Sequence, residues 1–390
     1  MKDERCLSSS KPHYEILDGL RGIAAVLVVL FHVFEVHSHG DHSKQIINHG
    51  YLAVDFFFML SGYVISYAYD DRWSRMSMKD FFKRRVIRLH PMIIVGMVIG
   101  ASLFYFQDSP GLGWGGIHEV PVWKVLLVMA VGLTLVPVGK GLDIRGWSEM
   151  HPLNGPAWSL FYEYIANIVY AVFLRRITKS FLAVLVLIAA SITIHYALTN
   201  PNGNIIGGWS IDPHQLRIGF TRLAFPFLAG ILLAKTAKLC YTPKAFLSAG
   251  LLLVLFLSVP HIENGGHRWV NGVYECFCLM VIFPLVVWLG AGGKVKGKKA
   301  AGLCKFLGDI SYPIYITHFP IVYVYMAWVT NNGLTLAESW CMGVLCVVLS
   351  VVVAYIAMKW YDIPVREWLR KRFLSSKIIQ KQQSCKSKLR

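Results

Sequence analysis

The first apolar stretch of the chain carries three ionisable side chains: Asp18 and Arg21 at its start, and His32 about three helical turns further on. At about 100° per residue, the step from Arg21 to His32 is three turns plus about 20°. The two therefore share a helix face, about 16 Å apart along the axis, with Asp18 close to the same face. An imidazole in apolar surroundings is equipped to act as general base or nucleophile. The next stretch opens GYLAVDFFFMLSG and places Asp55 at about the height of His32, where a carboxylate can orient an imidazole and stabilise its cation.

Three further segments carry chemistry. In DFFKRRVIRLHP, Arg84, Arg85 and Arg88 sit at helical spacing, and planar, permanently charged guanidinium groups suit bidentate phosphate binding. In LNGPAWSLFYEYIANIVY, Glu163 follows Trp158 about one and a half turns into an apolar run. A buried carboxyl with no cation close in sequence suits acid–base work. In FLGDISYPIYITHFPIVYVY, Ser311, Tyr315 and His318 recur at i, i+4, i+7, Asp309 lies at the start, and Pro313 and Pro320 invite kinks. Polar faces at one depth argue for a lined cavity. His37, His39, His42 and His49 crowd one connection, but their spacing fits no standard zinc pattern and cysteine partners are missing, so no metal site is expected. With no P-loop, GxGxxG, HExxH or GxSxG, an ATP-driven pump and a serine hydrolase are both disfavoured.

The elements that must position these residues follow from composition. The chain has 390 residues, 55% hydrophobic and 16% charged, against about 25% charged in soluble domains. Its apolar residues fall in blocks long enough to cross a hydrocarbon core about 30 Å thick. A soluble enzyme, a disordered chain and a disulfide-stapled secreted domain are excluded. The pattern predicts an all-α polytopic membrane protein with about ten transmembrane helices, near 17–36, 50–69, 87–107, 157–174, 180–198, 217–235, 244–260, 271–290, 306–328 and 337–358. The stretch 122–138 is ambiguous: it could span, dip in and return, or lie at the interface.

Net charge is +17, and Lys and Arg gather in alternate connections. If 122–138 does not cross, the basic clusters all fall on one side, which the positive-inside rule makes cytoplasmic, with both termini there. The cysteines agree, since none lies in a predicted outer loop, where oxidising conditions would favour disulfides. The first apolar stretch is too long for a signal-peptide core and is expected to remain as the first helix. The organisation is then a cytoplasmic segment 1–13, a membrane domain 14–365 and a basic tail 366–390. The tail RKRFLSSKIIQKQQSCKSKLR suits anionic inner-leaflet lipids rather than nucleic acid.

Taken in order, LDGLRGIAAVLVVLFH, GYLAVDFFFMLSGYVIS, FFKRRVIRLHP, NGPAWSLFYE and GDISYPIYITH make a specific series. With it, residues 14 to 365 resemble the acyltransferase family 3 of integral membrane proteins. The resemblance implies a ten-helix domain in a bacterial inner (cytoplasmic) membrane. Such a domain moves an acyl group, acetyl in the first place, from cytoplasmic acyl-CoA to a hydroxyl of a glycan such as a surface polysaccharide or its lipid-linked precursor. It aligns the family's first-helix Arg and His with Arg21 and His32, its RxxR pair with Arg85 and Arg88, its Glu with Glu163 and its late His with His318. The chain departs where the family usually has Tyr and this sequence has His90, and where it often has Gly and this sequence has Ala53.

The expected mechanism has CoA phosphates held by Arg85 and Arg88, helped by Arg84 and Arg21. The thioester arm then reaches His32, which deprotonates the sugar hydroxyl or accepts the acyl group itself. Asp55 or Glu163 steadies the imidazolium, and His318, Tyr315 and Trp158 line the acceptor side. The alternatives are a transporter or flippase, whose buried charges also line pathways, and a membrane sensor that would not need His32.

Overall fold

In lipid each spanning segment must satisfy its own backbone, and the ten predicted spans are all helical. The computed structural model describes residue 11 and residues 13–262 and 267–374. Most of the expected N-terminal segment and the basic tail beyond residue 374 lie outside the described residues, as do Cys6 and Cys385. The helices are α1 (Glu15–Ser38), α2 (Ala53–Tyr69), α3 (Met78–Leu103), α4 (Val122–Leu133), α5 (Ala157–Val172), α6 (Lys179–Thr199) and α7 (Pro213–Thr236). They continue as α8 (Ala245–Leu257), α9 (Trp269–Phe277), α10 (Phe283–Gly292), α11 (Lys298–Asn331), α12 (Leu336–Ala357) and α13 (Ile363–Phe373). No β-strand occurs among the described residues.

Eight continuous helical units are long and apolar enough to cross a membrane, with α9–α10 and α12–α13 each counting as one. Helix α8 is shorter than the stretch 244–260 that the sequence suggests. Its 13 residues rise about 20 Å, because the helix stops at Leu257. It still reaches both ends of the bundle: Thr242, just before it, donates to Gly292 O, and Leu257 O accepts from the His49 amide. Helix α11 runs 34 residues and carries the polar face that lowers its apolarity. The ambiguous stretch 122–138 forms only the 12-residue α4, about 18 Å long and well short of a hydrocarbon core about 30 Å thick.

At three prolines the chain makes up for the missing backbone donor. Pro320 leaves Ile316 O without its helical partner, and Asn154 Nδ2 donates to it at 2.7 Å. Pro284 and Pro364 are each preceded by a π-helical turn, Cys278–Ile282 and Met358–Asp362, which absorbs the register change.

Two helix pairs, α1 with α11 and α2 with α7, form the centre, and glycines set their approach. A Cβ on Gly22 would stand 2.3 Å from Leu307 O, and one on Gly308 2.7 Å from Asp18 Cβ. Gly62 and Gly230 play the same part between α2 and α7, against Phe227 O at 2.1 Å and Met59 O at 2.2 Å. Small residues at such crossings let apolar helices gain packing that lipid cannot match. Gly22→Ala should therefore destabilise the detergent-solubilised protein by about 1–3 kcal/mol. Gly302→Ala, which meets nothing within 4 Å, should leave its melting temperature unchanged or raised. Equal melting of the two variants would refute the close crossing.

Candidate active site

One end of the bundle holds the arginines. A cavity of about 550 Å³ there is lined by Arg21, Arg85, Arg88, Glu163, Tyr312 and Arg366, among others. Glu163 is not the cation-free carboxyl expected from sequence: Arg85 Nη2 donates to its Oε1 at 2.7 Å, and Ser61 to the same oxygen at 3.0 Å. Arg21 donates through Nε to Ser311 Oγ at 2.8 Å and pairs with Asp18 at 2.9 Å. Arg84, turned about 100° from Arg85, is not part of the wall. Arg366, on α13, takes that place, its Nη1 lying 3.0 Å from the Asp362 carboxylate. His13 also lines the cavity, where a hydrogen bond to Asp18 raises its pKa above the ordinary imidazole value. His90 does not line it and faces Tyr164 instead, so that departure from the family pattern stays outside the cavity.

Toward the opposite end lies a cavity of about 400 Å³. His32 lines it, half-buried, with its Nδ1 2.7 Å from Glu35 Oε2. An ionised carboxylate only accepts, so Nδ1 carries the proton in this pair and Nε2 keeps the lone pair. Glu35 therefore holds the position beside the imidazole that was expected of Asp55. Asp55 is fully buried and belongs to Arg222, which donates to its Oδ2 at 2.6 Å and also to Tyr51 O and Gly207 O. That guanidinium lies over the Trp158 ring, 5.1 Å from its centre.

His318 lies behind His32 rather than on the wall. Its ring stacks on that of His32 at 5.8 Å, and its Nδ1 donates to Ile314 O in its own helix. Tyr315 and Trp158 do line the cavity, with Trp147, Trp209 and Phe319 as further aromatic walls. The structure thus places His32 with Glu35, Tyr315 and Trp158 in one compartment, and Arg21, Arg85, Arg88 and Glu163 in the other. The two compartments share Val54 and Tyr315 as wall residues. The Tyr315 hydroxyl is held by Ser159 Oγ at 2.7 Å.

Sequence reading passed over Glu35, Arg222 and Glu149. Glu35 lies one helical turn beyond His32, a spacing that already puts two side chains in reach. Glu149, in the segment 139–156, lines the second cavity and accepts the Tyr323 hydroxyl at 2.8 Å. Burial, only partly offset by Arg145, raises its pKa from 4.5 to about 7. The folded chain then holds this proton where the unfolded chain has lost it, so stability falls as pH rises from about 4.5 to about 7 and levels off above. Thermal melts across that window should show a loss on the order of 1–3 kcal/mol, flattened in Glu149→Gln. An identical slope in the variant would assign it elsewhere.

Comparison with known proteins adds the family. A protein of Rhizobium radiobacter named "Protein 2 in picA locus" is 31% identical over 197 residues, which cover 49% of this chain and 98% of that protein. The O-acetyltransferase OatA of Staphylococcus aureus (strain NCTC 8325 / PS 47) is 22% identical over 368 residues, 90% of this chain and 57% of OatA. The chain spans about half the length of the staphylococcal relatives it matches. No solved structure matches it. The acyltransferase domain pattern runs over residues 14–359, from the start of α1 to the end of α12, and by that match the chain belongs to acyltransferase family 3.

Proposed function

We propose that this protein is a membrane O-acyltransferase that takes an acyl group, acetyl in the first place, from acyl-CoA to a hydroxyl of a glycan. One observation carries the reading: a guanidinium-lined cavity and a cavity holding a carboxylate-paired imidazole share the wall residues Tyr315 and Val54. The CoA phosphates sit among Arg21, Arg85, Arg88 and Arg366, the arginines facing the cytoplasm. The pantetheine arm, about 15–20 Å long, matches the roughly 16 Å from Arg21 to His32 along α1. The thioester then lies beside Tyr315.

Glu35 fixes His32 with Nε2 free to act as base. Nε2 takes the proton of the acceptor hydroxyl as its oxygen attacks the thioester carbonyl. The C–S bond breaks, and the imidazolium, stabilised by Glu35, returns the proton to the leaving thiolate. The second cavity suits a sugar: Trp147, Trp158 and Trp209 offer faces for its apolar side, and Glu35 and Glu149 offer acceptors for its hydroxyls. The name of the OatA relative supports oxygen as the acceptor atom. A lipid-linked or surface polysaccharide meets the cavity from the side opposite the arginines.

Two experiments test this. Purified protein given labelled acetyl-CoA and a glycan acceptor should transfer label. His32→Ala should lower turnover by about 10²–10⁴-fold and Glu35→Gln by about 10–100-fold, with little change in KM for the donor. Full activity in His32→Ala would end the mechanism. For the donor, Arg88→Ala and Arg366→Ala should each raise KM for acetyl-CoA by about 10–100-fold. KM for the phosphate-free N-acetylcysteamine thioester should not move, and a parallel rise for both donors would show that the arginines do not read phosphate.

A further inference from the structure

Away from both cavities, His49, His261 and Glu275 converge at the end of the bundle opposite the arginines, from three separate segments: the α1–α2 connection, the α8–α9 connection and α9 itself. Each offers one donor atom, and these atoms all lie within 4.8 Å of one another, with His49 and Glu275 buried and His261 half-buried. Three features mark the group as more than chance packing.

His49 Nδ1 lies 2.9 Å from Val259 O, which only accepts, so Nδ1 carries the proton and Nε2 bears the lone pair. Locking the tautomer through a backbone carbonyl is the usual way a ligating imidazole is held. The two imidazole rings stand 5.2 Å apart, centre to centre. Two imidazoles sharing one tetrahedral zinc at about 2.0–2.1 Å bring their centres to about 5 Å. Glu275 is a fully buried carboxylate steadied by the Tyr51 hydroxyl and by the Ile205 amide at 2.7 Å, as ligating carboxylates are steadied by a second layer. Arg222 spends its bonds on Asp55, Tyr51 O and Gly207 O.

We propose that His49, His261 and Glu275 bind a transition-metal dication, with zinc the ion that best fits a donor set of two imidazoles and one carboxylate. Closing the set from 4.8 Å to the ~3.3 Å between zinc ligands takes a side-chain adjustment, for which the half-buried His261 has the most room. Three protein ligands leave the fourth position to water. The ion ties the α8–α9 connection to the start of α2. Through Glu275 it also fixes Tyr51, which lines the His32 cavity. The site stands whether or not the protein transfers acyl groups.

The test uses the full chain, purified in detergent without a histidine tag, stripped with chelator and dialysed against limiting zinc. Elemental analysis should find one zinc per chain, and cobalt substitution should give the intense visible band of a tetrahedral ion. The wild type should melt higher with zinc than after chelation. His261→Ala, on a connection and half-buried, should keep its fold and the chelated melting temperature yet lose the ion, the cobalt band and the zinc-dependent gain; Glu275→Gln should lose the ion as well. His39→Ala, on the exposed histidine-rich connection, should bind as the wild type does. Zinc retained in His261→Ala, zinc lost in His39→Ala, or no zinc and no cobalt band in the wild type would each overturn the proposal.

Discussion

A carboxylate inside an apolar bundle must be given a partner, because the surroundings return little of the hydration it has lost. This constraint organises the centre of the protein. Asp55 on α2 is answered by Arg222 on α7, Glu163 on α5 by Arg85 on α3, and Asp18 by Arg21 within α1. Glu149 has the Tyr323 hydroxyl and, at 3.9 Å, Arg145. Each pair spans two elements or ties an end of one, so charges that would be costly singly become cross-braces. Glu35 differs in kind. It meets an imidazole, a group that can gain or lose its charge near neutral pH, where the guanidinium partners hold theirs fixed.

That distinction separates what the sequence disclosed from what it did not. Helix periodicity placed Arg21 and His32 on one face, and the structure keeps both in cavities along α1. Apolar runs located ten helical stretches, eight of them in units long and apolar enough to cross a membrane, because lipid leaves the backbone no alternative to helix. The partners of the carboxylates were hidden by distance along the chain. Asp55 meets Arg222 across 167 positions and Arg85 meets Glu163 across 78, and no local pattern encodes such a meeting. Arg222 looked like one more basic residue near a helix start. Glu35 was legible in principle, one turn from His32, but it sits at the end of the apolar run, where a charge usually means only the edge of the membrane.

Geometry also explains why His318 and Arg84 stand apart from their expected roles. Pro313 and Pro320 bracket a stretch of α11 in which Thr317 and His318 bond back to carbonyls of their own helix. The imidazole is thereby turned into the packing behind His32, where its ring stacks against the one that lines the cavity. Arg84 and Arg85 point about 100° apart on the helix, and Arg85 is the one drawn inward, where Glu163 on α5 takes its guanidinium. The inward place beside Arg88 is filled instead from α13, which continues α12 through the π-turn and packs against α3.

The wall of the His32 cavity is of mixed origin. Its floor of His32, Glu35 and Tyr315 stands on helices, while Trp147, Glu149 and Trp209 stand on connections outside them. Helical positions are constrained by neighbours on every side, whereas connecting segments tolerate exchange. A lineage built on this plan can thus rewrite half of its chamber by trading surface segments, leaving the helical half untouched. Grafting experiments can exploit the same seam.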